Sequence, residues 1–307
     1  MSWKYEILFD VADMDGLTPL EKQARIDNPD RWKTEKADLK RKQMGYRTKT
    51  TKAGPRLEAE IFPTFGRGAD QEAREAKSHL TPEKIQRYNE EKARRYLTQL
   101  MDANFTEGDL SLTLTYRENP GPNRMEKDIR NFVDRLRRYR VKRGLPELKY
   151  IYALEWTEDG QQKRPHCHFI TQGDITAEEL KEIWGRDVGF CNVDELQPDR
   201  ERGLEALARY IYNQNPGMPR EKGKRKYSVS KNLKKPKTRI SNTKVSKGGV
   251  KRMSDVFEAD PAEARRIMEK LYPGYEYVQG STRRSDVFDG VYIRVLMRKK
   301  AKEAWGR

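Results

Sequence analysis

The chain has 307 residues, with 64 Lys and Arg against 48 Asp and Glu, which leaves a formal charge of +16. That excess points to a polyanionic partner, and nucleic acid fits better than membrane, because no apolar run approaches the roughly 18 residues of a transmembrane helix. Met1-Ser-Trp-Lys-Tyr-Glu6 lacks a basic-then-apolar signal pattern, and Cys167 and Cys191 are too few for a disulfide framework or a Cys-built zinc site, so the expected setting is the cytoplasm.

Residues 1–77 read as an extended basic arm with some helix, ordered on the main domain or on DNA, or else as a solubilising surface segment. A short apolar run, Tyr5 to Val11, fits a strand. The main domain is expected over 78–300, with 301–307 as a tail. Thr81-Pro82-Glu83 marks the start of a helix to about Met101, with Thr81 as N-cap and Pro82 at the first helical position. His79, just ahead of it, reads as a surface residue.

Asp109 to Tyr116 alternates apolar and hydroxylated residues, the period-2 pattern of a half-buried strand. Arg124 to Arg143 is helical, with Ile129, Phe132, Val133 and Leu136 on one face. Two strands follow, Tyr150 to Trp156 and Arg164 to Thr171, joined by a polar turn. Thr176 caps a helix to Trp184 with Glu178 and Glu179 in its first turn, Gly189 to Val193 is a strand, and Arg202 to about Gln214 a helix. The order β-α-β-β-α-β-α over 109–214 predicts an α+β fold of the split β-α-β type, an antiparallel-dominated sheet with helices on one face.

Between Arg220 and Arg252 there are fourteen Lys or Arg and a single Glu. This basic segment, within 216–252, suits a strand or loop along a phosphate backbone, with Arg225, Lys226, Tyr227, Lys231, Lys234 and Lys235 as contacts; a solvated charge run is the alternative. Asp260-Pro-Ala-Glu-Ala opens a helix to about Leu271, and Gly274 to Arg298 reads as a terminal hairpin with Val287 to Val295 as its second arm.

Two of the three histidines lie in Arg164-Pro-His166-Cys-His168-Phe169. On a strand, His166 and His168 project to one face while Cys167 and Phe169 turn to the core. Paired imidazoles suit a divalent metal, and Glu155 on the neighbouring strand can face them as a third ligand. Glu158 and Asp159 in the following turn are substitutes, and two rings hydrogen-bonded on a half-buried sheet are the plainer alternative. A metal beside a basic surface suggests phosphodiester chemistry with the ion as Lewis acid. For a nucleophile, the helix Gly203 to Asn213 offers Tyr210 and Tyr212. Leu204, Leu207, Ala208 and Ile211 form its apolar stripe, Tyr212 borders that stripe, and Tyr210 falls on the flank with Ala206, Arg209 and Asn213.

These residues carry a resemblance. Asn104 to Tyr116, Arg164 to Phe169, Leu180-Lys-Glu-Ile-Trp184 with Gly189 to Val193, and Tyr227 to Pro236, in that order, resemble the HUH-endonuclease initiators of rolling-circle replicons, over roughly Ser78 to Arg298. The resemblance implies metal-dependent nicking of single-stranded origin DNA by a tyrosine, a 5′-phosphotyrosine link, a 3′-OH primer and later rejoining. It implies Mn²⁺ or Mg²⁺ on His166, His168 and Glu155, and a host helicase and polymerase as partners. The family places its nucleophile in a Tyr-x-x-Lys motif. Here Tyr210-Ile-Tyr-Asn213 supplies the tyrosine, Asn213 stands where lysine is expected, and Ala206 and Arg209 occupy the earlier turn. Tyr210 and Tyr212 thus both stay open as nucleophile, and Arg209 or a lysine of 222–237 is the substitute cation. One accessible tyrosine per chain implies two protomers, hence a homo-oligomer, for a full cycle. The competing readings are an HUH relaxase or transposase, a non-catalytic nucleic-acid-binding protein on the same fold, and an RNA-binding sheet, for which Tyr152 is one candidate stacking residue.

Overall fold

The computed structural model describes residues 45–64, 82–156, 164–213, 226–284 and 290–300. Strands β1 (Gly45–Ala53) and β2 (Arg56–Thr64) precede α1 (Pro82–Asn104), β3 (Leu110–Tyr116), α2 (Pro122–Lys142), β4 (Tyr150–Glu155) and β5 (His166–Thr171). Then come α3 (Ala177–Trp184), β6 (Gly189–Glu195), α4 (Glu205–Asn213), β7 (Ser228–Val229) and β8 (Lys237–Ser241). Helices α5 (Lys247–Ala259) and α6 (Pro261–Leu271) and strands β9 (Tyr275–Arg284) and β10 (Val291–Lys299) complete the described chain. Two compact units divide it: Ala93–Pro236, and Met1–Lys92 with Lys237–Arg307.

The Ala93–Pro236 unit is built on an antiparallel sheet of order β6-β3-β5-β4-β7. Strict alternation on β3 sends Leu110, Leu112, Leu114 and Tyr116 to one face. There they meet Ile129, Phe132 and Leu136 of α2 and Leu180 and Trp184 of α3, together with Cys167 and Phe169. Each such side chain taken fully out of water contributes about 1.5–3 kcal/mol. Phe132 packs edge-on against both Phe169 and Trp184, at 5.3 and 5.6 Å between ring centroids. Thr176 caps α3 with Glu179 in a complete capping box. Arg140, buried at the end of α2, makes a two-pronged ion pair with Asp174 and donates to the Pro146 carbonyl at 2.6 Å.

The opposite face is covered as well. Ile151, Ala153 and Ile170 pack against Leu97, Leu100 and Met101 of α1 and Ala208 and Ile211 of α4. The expectation of helices on one face is therefore corrected. The later part of α1 and α4 each present an apolar stripe, which burial against β4 and β5 satisfies.

The second unit holds another antiparallel sheet, of order β8-β1-β2-β10-β9. Leu57, Ala59 and Ile61 of β2 and Ile293, Val295 and Met297 of β10 pack with Val250 and Met253 of α5 and Met268 of α6. Asp260 caps α6 through the amides of Ala262 and Glu263, and Pro261 follows it. Thus the expected basic arm contains the β1–β2 hairpin, and the expected basic loop before Arg252 contains β8 and the start of α5. In both places lysine and threonine side chains hide a strand pattern. The expected terminal hairpin pairs with β2 as well, and its second strand begins at Val291. Tyr5–Val11, His79, Thr81, Glu158, Asp159, Arg225, 287–289 and 301–307 lie outside the described residues.

Candidate active site

Alternation along β5 buries Cys167 and Phe169 on the α2 side and turns His166 and His168 to the other. In the β4–β5 pairing Glu155 stands opposite His166, and Ala153 opposite His168. Directly opposed residues share a face, with Cβ atoms about 5 Å apart. The Glu155 carboxylate consequently reaches both rings. Its Oε2 lies 3.0 Å from His166 Nε2 and 3.7 Å from His168 Nε2, and the two Nε2 atoms are 3.1 Å apart. Glu155 and His168 are buried and His166 is partly exposed.

His166 Nδ1 lies 2.8 Å from the Arg164 carbonyl oxygen. A carbonyl only accepts, so Nδ1 carries the proton and the Nε2 lone pair faces the cluster. A second imidazole nitrogen and a carboxylate oxygen crowd the same point, an arrangement that a cation at that point stabilises. Neighbouring ligands of an octahedral ion with bonds of 2.0–2.1 Å lie roughly 3 Å apart, close to the spacing here. Glu155, His166 and His168 have the ligand types and the spacing to hold a metal ion.

Helix α4 brings a tyrosine to this cluster. Leu204, Ala208 and Ile211 are buried, and Tyr212 joins them at 6% exposure, whereas Tyr210 is 47% exposed. The Tyr210 ring meets His168 edge-on, 5.0 Å between centroids and 74° between planes. Lys226 Nζ sits 4.6 Å from the Tyr212 ring centroid, which brings one lysine of the basic run to this helix. Arg209 and Asn213 are exposed. The start of α4 is held by Asp102, whose buried carboxylate accepts the Leu204 amide at 2.9 Å. A carboxylate there satisfies an orphan amide and complements the positive end of the helix.

The same sheet face continues past the histidines. Phe190, Thr115, His166 and Glu155 form one row across β6, β3, β5 and β4, and Asn192, Thr113, His168 and Ala153 the next. Phe190 is 55% exposed, with Arg117 Cζ 5.5 Å from its ring centroid. Gly189 allows β6 to close on β3, since a Cβ there would lie 1.8 Å from the Thr115 carbonyl oxygen. Thr113, Thr115, Phe190 and Asn192 leave an accessible strip that runs up to the metal ligands.

Residues 109–215 match the family model of the replication-associated protein ORF2. The match runs from β3 to α4, so all three ligands and both tyrosines fall within it. It bears out the resemblance to rolling-circle replication initiators and supports a role in starting replication, with DNA as the partner. No curated protein and no solved structure matches the chain. Among the described residues no helix is long and apolar enough to cross a membrane.

In this replication-associated unit the basic segment after α4 splits by role. Lys231, Lys234 and Lys235 are exposed and Lys226 is partly buried. Tyr227, expected to contact DNA, is instead buried in the apolar cluster of α1 and α4. Asn104 fixes the backbone of the segment: it donates to the Lys234 carbonyl at 2.9 Å and accepts the Lys234 amide at 2.7 Å. Tyr152 stacks with Tyr150 and Phe169 on the face away from the histidines, which removes the stacking platform that an RNA-binding sheet needs. Asp102, Asn104 and Phe190 have no part in the sequence expectations. The parity of Phe190 with the outward residues of β6 is a signal for it. Asp102 and Asn104 act across more than a hundred residues, and nothing local marks them.

Proposed function

We propose that this chain initiates rolling-circle replication as a metal-dependent tyrosine transesterase, nicking single-stranded origin DNA with Tyr210 as nucleophile. The observation that carries the reading is the exposed Tyr210 ring standing against His168, a member of the Glu155–His166–His168 cluster. These three residues would hold Mn²⁺ or Mg²⁺, which when bound supplies Lewis-acid polarisation of the scissile phosphate. The DNA strand lies along the open strip of β3 and β6. Tyr210 Oη bonds to phosphorus as the phenol loses its proton; the P–O3′ bond breaks, and the departing 3′ oxygen takes up a proton. The products are a 5′-phosphotyrosine link and a 3′-OH primer, and attack by a 3′-OH on that link rejoins a strand. Arg209, Lys226 and the exposed Lys231, Lys234 and Lys235 supply positive charge for the phosphates. With Tyr212 buried, each protomer offers one nucleophile on this face, so nicking and resealing uses two protomers; a host helicase and polymerase extend the primer.

The test incubates purified protein with labelled single-stranded DNA from its own replicon's origin region, with Mn²⁺ or with chelator, and resolves products on a denaturing gel. A covalent protein–DNA band with Mn²⁺, absent in chelator and in Glu155→Gln, is the expected result. Salt-sensitive DNA binding with no cleavage under any divalent metal would instead assign the fold to non-catalytic DNA binding.

A further inference from the structure

The boundary between the compact units falls inside the basic segment, between Pro236 and Lys237. Its second half, 237–252, holds six Lys or Arg and no acid, and it belongs to the unit without the metal ligands. Here the β1–β8 register places Lys237 directly opposite Lys52 and Arg239 opposite Thr50. Thr50 Oγ1 is hydrogen-bonded to the Tyr272 hydroxyl at 2.9 Å. Lys244 Nζ lies 4.3 Å from the Tyr272 ring centroid, and Lys52 Nζ 5.2 Å from that of Tyr275. Four cations therefore gather around one tyrosine at the edge of this sheet, and all four are exposed.

Like charges directly opposite on paired strands destabilise a sheet, so the Lys52–Lys237 pairing works against folding. Burial, and after it the Lys52 charge, lowers the Lys244 pKa, an independent sign of crowded positive charge. Protection of an edge strand by lysine accounts for Lys237 and Arg239 on β8. It does not account for Lys52 on the inner strand β1, or for Lys244 seated on Tyr272 beside it.

We infer that Lys52, Lys237, Arg239 and Lys244 form a second DNA-binding surface, one that takes the phosphate backbone of duplex DNA. Charge complementarity identifies the anion. The duplex is favoured over single strands because single-strand sites present aromatic faces for stacked bases, whereas here Tyr272 is buried and lysines lie over both tyrosine rings. Such a surface reads backbone rather than base edges, and would hold the flanking duplex while the other unit works on the exposed strand. Only this last assignment rests on the proposed nicking function.

The test measures binding of the full chain to a labelled duplex and to a single strand of equal length, in chelator, across a salt series. Because no cleavage is involved, failure of the nicking proposal leaves the result untouched. Each lost phosphate contact lowers the slope of log K against log salt by about 1. The triple variant Lys52→Gln, Lys237→Gln, Lys244→Gln should lose roughly 3 from the duplex slope and at least about tenfold in duplex affinity, while single-strand binding keeps its slope. The corresponding triple Arg variant should retain duplex binding. Lysine acetylation of the wild-type protein, read by mass spectrometry, gives a second readout that needs no variant: duplex should protect Lys52, Lys237 and Lys244, and single strand should not. An unchanged duplex slope, equal losses on both DNAs, or no protection by duplex would overturn the inference.

Discussion

Tyr210 and Tyr212 are two residues apart on one short helix, yet one ring stands against His168 and the other is buried among Leu100, Ile211 and their neighbours. Helical geometry makes the separation: residues at i and i+2 point about 200° apart. The apolar stripe of α4 fixes which of them turns inward. The placement of that helix therefore governs whether a nucleophile reaches the metal ligands at all.

Asp102 is one anchor of the placement, through the Leu204 amide. Asp102→Ala should cost about 1–3 kcal/mol in stability, because a buried amide loses its acceptor. It should lower the rate of covalent-adduct formation by up to about a hundredfold, as expected when a reacting group moves by an ångström. Asp102→Asn keeps an acceptor oxygen and should recover most of both. Urea unfolding and single-turnover adduct formation check the two effects; a stable Asp102→Ala protein with wild-type kinetics would dismiss Asp102 as a positioning residue.

Phe190 is the exposed aromatic on the histidine face, with Arg117 over it. If the strand runs along β3 and β6, one base stacks there, and Phe190→Ala should weaken single-strand binding by about 1–3 kcal/mol. Phe190→Trp should preserve it. Fluorescence anisotropy in chelator measures this directly, and unchanged affinity in Phe190→Ala would move the DNA path elsewhere.

Much of this architecture is legible in the sequence where local rules and tertiary packing agree. The Leu110–Tyr116 alternation, the Thr176–Glu179 box and the Asp260-Pro261 start all form as the residues dictate. The His166, His168 and Glu155 group follows from parity and a short hairpin alone. The second sheet is not legible. β1 reads Gly-Tyr-Arg-Thr-Lys-Thr-Thr-Lys-Ala, and its threonines and lysines are polar by composition although Thr48 and Thr51 are buried. α5 opens with Lys-Gly-Gly, poor helix formers, and is held by the Ser246 cap and by Val250 and Met253 in the core. Tyr227 failed as a DNA contact because a lysine-rich neighbourhood says nothing about which side chain turns inward.

Cys191 offers a pH test within the replication-associated unit. Burial pushes its thiol from 9.0 up to about 11. A raised folded pKa means that the unfolded chain gives up its proton first, so the contribution to stability is complete below pH 9 and is lost as pH rises toward 11. At full effect it is on the order of 2 kcal/mol. Urea unfolding from pH 8 to 11 should show a steeper alkaline fall for the wild type than for Cys191→Ala. Parallel curves would mean that the thiol ionises freely in the folded protein.

The most direct measurement compares Tyr210→Phe with Tyr212→Phe in the Mn²⁺-dependent reaction on labelled single-stranded origin DNA, each variant first shown to be folded and to bind that DNA. The account predicts that Tyr210→Phe abolishes the covalent protein–DNA band, while Tyr212→Phe, which removes only a core hydroxyl, still forms it. A band that survives Tyr210→Phe and disappears with Tyr212→Phe would contradict it.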